Sequence, residues 1–235
     1  MRNIQKKTEP TSLTQHRCNT NTDYDNYAEK DDLRASLVSE QRGICCYCMR
    51  RIRPDSENMK IEHWQSQDIY PQRQLEYKNL LGACRGGEGQ KKDKQHCDTK
   101  KGNLDLTFNP ADPSHNVEKK IRFLGDGTVE SKDPQFNKEI DEVLNLNEGA
   151  LVRNRKGVLD AFRQGLIQKQ PSDADIGKAL RKWNGDNGGE LEPFCQVVVY
   201  YLRKKIDKMI SKRTSELAFE NAIEDVLPGL SAIRG

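Results

Sequence analysis

Four cysteines and one acid–histidine pair carry the chemistry that this sequence could perform. Cys45 and Cys48 form a Cys-x2-Cys pair within GICCYCMRRI, a turn short enough to aim two thiolates at one tetrahedral ion roughly 2.3 Å away. Cys84 and Cys97 follow, separated by the mostly basic insert RGGEGQKKDKQH, so the second half of a zinc site is stretched across a flexible loop. His96 is an alternative to Cys97 as fourth ligand, and four unrelated buried thiols is the plainest alternative to any site at all. Cys46 would face away from an ion held by its neighbours. Cys18 and Cys195 suit structural roles, Cys195 on an apolar helix face where free cysteine is common. Between the two pairs stand Glu62 and His63, a carboxylate beside an imidazole. Phosphodiester cleavage needs an activated water, a cation to stabilise developing charge and help for the leaving oxygen. The residue types for that task are present. Adjacent side chains on an extended strand point to opposite sides, however, so the pair needs a bend or an irregular strand ending to converge.

Short elements must position these residues. The segment from Met1 to Lys30 is polar and without periodicity, which predicts an extended or partly disordered arm. Leu33, Leu37 and Val38 predict an amphipathic helix that starts at an acidic cap near Asp31, ends near Gly43 and feeds the first cysteine turn. Met59 to Trp64 is compatible with a strand, Tyr77 through Cys84 suits a turn or short helix, and Asp98 to Leu104 could begin a closing helix. The Pro-marked stretch NPADPS at 109–114 reads as a linker, and KKIRFLGDGTVES reads as a hairpin around Gly-Asp-Gly. Beyond it the pattern is helical: Leu151, Val158, Leu159 and Phe162 share one face, as do Phe194, Val197, Val198, Tyr201, Leu202, Ile206 and Met209. Both stripes read as core. The expected organisation is therefore α+β, with an arm over 1–30, a zinc-stapled domain over 31–108, and a hairpin plus helical domain over 109–235.

Bulk properties agree with a small nucleic-acid or metal protein without proving either. At 235 residues the chain can hold a zinc-stapled module and a second core. Thirty-nine basic against 36 acidic side chains are too balanced to establish a polyanion partner, so only local charge can argue for one. No run approaches a membrane span and MRNIQKKTEP lacks a secretory stretch, so a cytoplasmic protein with no membrane partner is expected. Seven cysteines in that compartment are reduced thiols or metal ligands rather than disulfides.

The ordered set Cys45-x2-Cys48, Glu62-His63, Tyr77-x-Asn79-Leu80, Cys84 and Cys97-Asp98-x2-Lys101-Gly102 resembles the HNH (ββα-metal) endonucleases that carry zinc-binding cysteines. LRASLVSEQRGICCYC, FNPAD followed by IRFLGDGTV, and VLNLNEGALVRNR resemble the bacterial anti-phage HNH proteins that accompany Septu-type ATPases and some retrons. The resemblance weakens between Met1 and Thr20 and again after about Gln170. It implies a ββα-metal core, metal-dependent hydrolysis of nucleic acid to 5′-phosphate and 3′-hydroxyl ends, His63 as general base, and Asn79 holding the loop that orients it. It also implies Glu62 and Asp98 on a catalytic Mg²⁺ or Mn²⁺, structural Zn²⁺ on the four cysteines, and control by a Septu-type ATPase. A retron reverse transcriptase and its multicopy single-stranded DNA are further implied partners. Arg50, Arg51, Lys60, Arg85, Lys100 and Lys101 would form a basic rim for the phosphate backbone. DNA and RNA, tRNA included, are both open as substrates. A non-catalytic zinc module would have no use for Glu62, His63 and Asp98 together, and a sequence-specific restriction or homing nuclease would need a recognition element that is not visible. The arm, with Ile4, Leu13, Tyr24 and Tyr27, is expected to lie along a partner's groove.

Overall fold

The computed structural model describes residues 1–226, with side chains through 218; the end of the expected helical region, 227–235, lies outside the described residues. Thr11–Arg17 (α1) and Lys30–Glu40 (α2) precede the cysteine turn. Met59–His63 (β1) then pairs antiparallel with Leu80–Cys84 (β2), Glu62 opposite Leu81 and His63 opposite Leu80. The short helix Cys97–Lys101 (α3) follows. Val117–Lys120 (α4) leads into Ile121–Phe123 (β3), which pairs with Val129–Ser131 (β4), and Pro134–Lys138 (α5) runs on into a π-helical turn, Glu139–Val143. Gly149–Lys169 (α6), Asp173–Asn184 (α7) and Cys195–Val226 (α8) complete the described chain. The mixture of helices with two small sheets is the expected α+β class.

Strand β2, where sequence suggests a turn or short helix, is buried along its whole length. A strand buried on both faces shows no polar–apolar alternation, so its sequence LLGAC has no period to betray it. Its outer edge is satisfied by a side chain rather than a third strand. Gln41, just past α2, donates from Nε2 to the Gly82 carbonyl at 2.7 Å and accepts the Gly82 N–H on Oε1 at 2.6 Å, while the Cys46 N–H reaches the same carbonyl. This pairing closes the edge and fixes the cysteine turn against the sheet. The hairpin β3–β4 forms where the Gly-Asp-Gly turn predicts it.

The N-terminal segment, 1–30, is not a free arm. Met1, Ile4, Leu13 and Tyr27 are buried, and the Ile4 N–H bonds the Pro110 carbonyl. Leu13 and Tyr27 pack with Leu33, Leu37, Leu75, Tyr77 and Leu80. Lys6 pairs with Glu40, donates to the Leu80 carbonyl at 2.9 Å and sits over the Tyr77 ring. The absence of periodicity misled because these apolar residues fill separate gaps instead of lining one face. Nor does the packing break at 108/109: one cluster runs from Met1 and the cysteine turn through Val117, Ile121, Phe136 and Leu151 to Cys195 and Val197. The start of α8 is tied back to the cysteine turn, Phe194 N–H to the Met49 carbonyl at 3.0 Å.

Deleting residues 1–25 is therefore expected to destroy cooperative folding, and Leu13→Ala alone to cost about 2–5 kcal/mol of unfolding free energy in denaturant titration. A truncated protein with an unchanged denaturation curve would show that the segment is dispensable.

Candidate functional site

The four predicted zinc ligands converge. The sulfurs of Cys45, Cys48, Cys84 and Cys97 all lie within 4.8 Å of one another and all four residues are buried. Cys45 and Cys97 are 3.9 Å apart, Cys48 and Cys84 3.6 Å. A tetrahedral ion with metal–sulfur bonds of about 2.3 Å requires sulfur–sulfur edges of about 3.8 Å, so the set fits a zinc ion. Backbone geometry holds it open for one. The Cys45 N–H bonds the Arg50 carbonyl, the Met49 N–H bonds the Cys45 carbonyl, and Met49 takes a left-handed φ of 65° that closes the turn. The Arg50 N–H points at the Cys48 sulfur, 3.5 Å away. Cys97 is itself left-handed, φ 55°, pinned by its N–H to the Leu144 carbonyl; such backbone strain persists where surrounding structure over-determines it. Burial opposes ionisation of Cys45, but the neighbouring sulfurs of Cys46, Cys48, Cys84 and Cys97 draw it well below the usual range, whereas Cys84 and Cys97 are held well above theirs. His96 lies beside the set, its Nδ1 3.2 Å from the Cys97 sulfur and 4.0 Å from that of Cys84.

The basic insert between Cys84 and Cys97 is closed at its base rather than open throughout. The His96 N–H bonds the Gly86 carbonyl, the Thr99 hydroxyl bonds the Arg85 carbonyl, and Asn145 holds the carbonyls of Asp93 and Gln95. Gly86, at φ +54°, allows that closure because a Cβ there would stand 2.1 Å from the His96 oxygen. The stretch from Glu88 to Lys94 is exposed.

Glu62 and His63 are both buried although they are neighbours on β1. Glu62 faces the cysteine turn and α3: its Oε1 accepts the Tyr47 hydroxyl at 2.6 Å and lies 3.0 Å from the Lys101 ammonium. Burial, then the neighbouring Asp98 carboxylate, pushes the Glu62 carboxyl well above the ordinary carboxylate range, while Lys101 and Tyr47 pull the other way. Each carboxylate already meets a protein cation, Glu62 meeting Lys101 and Asp98 meeting Lys60 at 3.6 Å; the oxygens of the two would suit a hard divalent ion that keeps waters in its remaining positions. On the other side of the strand, His63 sends Nε2 to the Gln74 carbonyl at 3.0 Å and meets the edge of the Tyr24 ring, centroids 4.5 Å apart. A carbonyl only accepts, so Nε2 carries the hydrogen. Burial lowers the imidazole below its usual value, so the ring is neutral near pH 7, with a lone pair on Nδ1.

Asn79 is buried at the start of β2 and clamps the intervening loop. Its Oδ1 accepts the Gln65 N–H at 2.8 Å, and Nδ2 donates to the carbonyls of Gln65 and Arg73. Its own carbonyl accepts the Trp64 N–H. The loop so held is the one that presents Gln74 to His63.

The six expected rim residues are placed unequally. Lys101 belongs elsewhere: its amine is buried against Glu62 and the His63 carbonyl, 3.0 Å away, because Lys101 closes the short helix α3 where that helix meets the end of β1. Arg51 is committed to the carbonyls of Gly43 and Leu191 and to Glu190, joining the cysteine turn to the approach of α8. Lys60 pairs with Glu88 and Asp98, and Arg85 with Glu88 and the Ser56 carbonyl. Arg50 and Lys100 are half-buried. Tyr47, Tyr24 and Gln74 were not expected at the site; the position of Tyr47 inside the Cys-x2-Cys turn was the only available signal for any of them.

Fold and site together define an α+β protein built around a four-cysteine centre that could hold zinc. No family model matches the chain. It is similar to the Septu protein PtuB of Bacillus thuringiensis, 23% identical over 177 residues, which cover 60% of this chain and 64% of that relative. The chain thus spans just under two thirds of the relative's length. Among the described residues no helix is long and apolar enough to cross a membrane.

Metal analysis of protein purified without chelators is expected to find one zinc per chain, held with a folding contribution on the order of 10 kcal/mol, and Cys48→Ser is expected to lose both zinc and soluble fold. A stable, zinc-free wild-type protein would rule the centre out.

Proposed function

We propose that this chain is a metal-dependent HNH endonuclease, with β1, β2 and α3 as its ββα core, acting as effector of a Septu-type anti-phage system. The observation that carries the reading is the buried Glu62, with the half-buried Asp98 carboxylate beside it, next to a neutral, loop-gripped His63 in a unit closed by four converging thiols. A structural zinc module alone gives no reason to bury the Glu62 carboxylate next to a second carboxylate. The similarity to a Septu protein supports the defence role.

In this reading His63 takes the proton of the attacking water on Nδ1, because Nε2 is committed to Gln74. Asn79 acts through the loop: by holding Gln65 and Arg73 it fixes the Gln74 carbonyl and with it the tautomer and angle of the ring. Glu62 and Asp98 would hold Mg²⁺ or Mn²⁺, which when bound supplies positive charge to the phosphate oxygens. Arg50, Lys60, Arg85 and Lys100 would steer the phosphate backbone, Lys60 and Arg85 after exchanging their present acidic partners for phosphate. A Septu-type ATPase is the proposed controlling partner. Since residues 1–30 are built into the fold, it would meet the helices from Glu148 onward. A retron reverse transcriptase and its multicopy DNA enter only through the resemblance of sequence segments, and the proposal is confined to the ATPase.

The test is a panel of labelled plasmid, single-stranded DNA and total RNA incubated with the purified protein and its partner in Mg²⁺. Cleavage of one member is expected to fall by roughly 10²- to 10⁴-fold or more in His63→Ala, with zinc content and melting unchanged, and to fall in Asp98→Ala without loss of zinc. Unimpaired turnover by folded His63→Ala protein would sink the assignment. The pH dependence adds a check. Burial favours neutral His63, so activity should survive as pH falls through 6.5 and its acid limb should have a midpoint below that value; a midpoint above it would contradict His63 as the base.

A further inference from the structure

Both polar groups that grip the Glu62 carboxylate land on the same oxygen. The Tyr47 hydroxyl donates to Oε1 at 2.6 Å and the Lys101 ammonium stands 3.0 Å from that atom. All three side chains are buried, at 0%, 1% and 2% exposure for Tyr47, Glu62 and Lys101, so no water competes for the contact. Neither donor is free to swing. Lys101 has a second anchor in the His63 carbonyl at 3.0 Å. Tyr47 lies between Cys45 and Cys48, whose sulfurs belong to the four-thiol cluster, and the turn that carries it is fastened by the Cys45–Arg50 and Cys46–Gly82 backbone bonds. With Oε1 committed twice, Glu62 has one oxygen left to offer.

We propose that Tyr47 and Lys101 are positioning residues that restrict Glu62 to a single ligating oxygen and so set which cation the site accepts. Mg²⁺ and Mn²⁺ take one oxygen of a carboxylate and retain waters in a tight octahedron, whereas Ca²⁺ takes longer bonds, more ligands and often both oxygens of one carboxylate. A clamped Glu62 meets the first demand and frustrates the second. The same arrangement ties the two metal sites together mechanically, since Tyr47 is carried by the turn that supplies half of the zinc ligands. The inference rests on Glu62 and Asp98 forming the divalent site of the proposed nuclease. It deepens that reading by assigning the site's ion selectivity to two residues that need not touch the ion.

The experiment is Mn²⁺ titration of the zinc-loaded full chain, followed by the electron paramagnetic resonance signal of free Mn²⁺, with Ca²⁺ as competitor. Wild type is expected to bind Mn²⁺ in preference to Ca²⁺. Tyr47→Phe, which removes only the hydroxyl, is expected to shift the Mn²⁺/Ca²⁺ preference toward Ca²⁺ by about tenfold, the size of one lost hydrogen bond to a charged group, with zinc retained. Lys101→Met removes the other donor and should move the ratio in the same direction. An unchanged ratio in both variants, with Mn²⁺ binding abolished by Glu62→Gln, would overturn the clamp and leave the divalent site standing. Wild-type protein that binds no Mn²⁺ would overturn the site and the clamp with it.

Discussion

Four thiols brought within a few ångströms in a buried place set the terms for the rest of this protein. Cys45 and Cys48 arrive on one turn, Cys84 at the end of β2 and Cys97 at the start of α3, so a single centre fastens three segments that have little else in common. None of the three could stand alone: the two-stranded sheet has five residues a side and α3 has five residues, lengths far below what is independently stable in water. The centre is also interior. Cys45, Cys46, Tyr47, Cys48 and Met49 are each at most 2% exposed, so the turn is core as well as ligand, and its backbone must bond inward to Gly82, Arg50 and Phe194.

Charge buried at that centre has consequences across the molecule. Zinc on these four thiolates would leave net negative charge in the interior, where isolated charge is expensive. Arg155 on α6 is 1% exposed and, among the described residues, meets no carboxylate; its guanidinium donates to the carbonyls of Gly127 at 2.6 Å and Leu146 at 2.7 Å. Burial lowers it to about 10, and the thiols of Cys48 and Cys97, were they ionised on zinc, would favour its protonated form. A cation satisfied by backbone carbonyls, with the thiol cluster as counter-charge, gives α6 and the β3–β4 hairpin an electrostatic reason to pack on the cysteine unit.

The geometry at β1 depends on the same scaffold from both sides of the strand. Glu62 is reached by Tyr47 from the cysteine turn and by Lys101 from α3, so its orientation follows from where the thiols are. His63 is reached by Gln74 and Tyr24, which belong to a loop clamped by Asn79 and to the N-terminal segment packed over it. Tyr24 meets the imidazole edge-on, centroids 4.5 Å apart, from the segment that Leu13 and Tyr27 anchor. Adjacent residues pointing apart, which from sequence alone looked like an obstacle to their cooperation, become two half-sites joined by Lys101, whose amine bonds both the Glu62 carboxylate and the His63 carbonyl.

Much of this was legible in the residues, where the information is local. Cysteine spacing named all four members of the cluster, since a Cys-x2-Cys turn can aim two sulfurs at one ion. The Gly-Asp-Gly turn placed the hairpin, and helical periodicity placed α2 and the stripes of α6 and α8. What remained hidden was decided by partners distant in sequence. LLGAC is a strand only because Met59–His63 lies on one edge and Gln41 on the other. Lys101 reads as one more surface cation until α3 turns it inward onto Glu62, and the N-terminal segment reads as a tail until its scattered apolar residues find separate pockets in the folded chain. Sequence alone therefore determined which residue types could bind metal and move a proton; tertiary structure decided which oxygen, which nitrogen and which charge face one another, because burial and hydrogen-bond geometry exist only once distant segments have met.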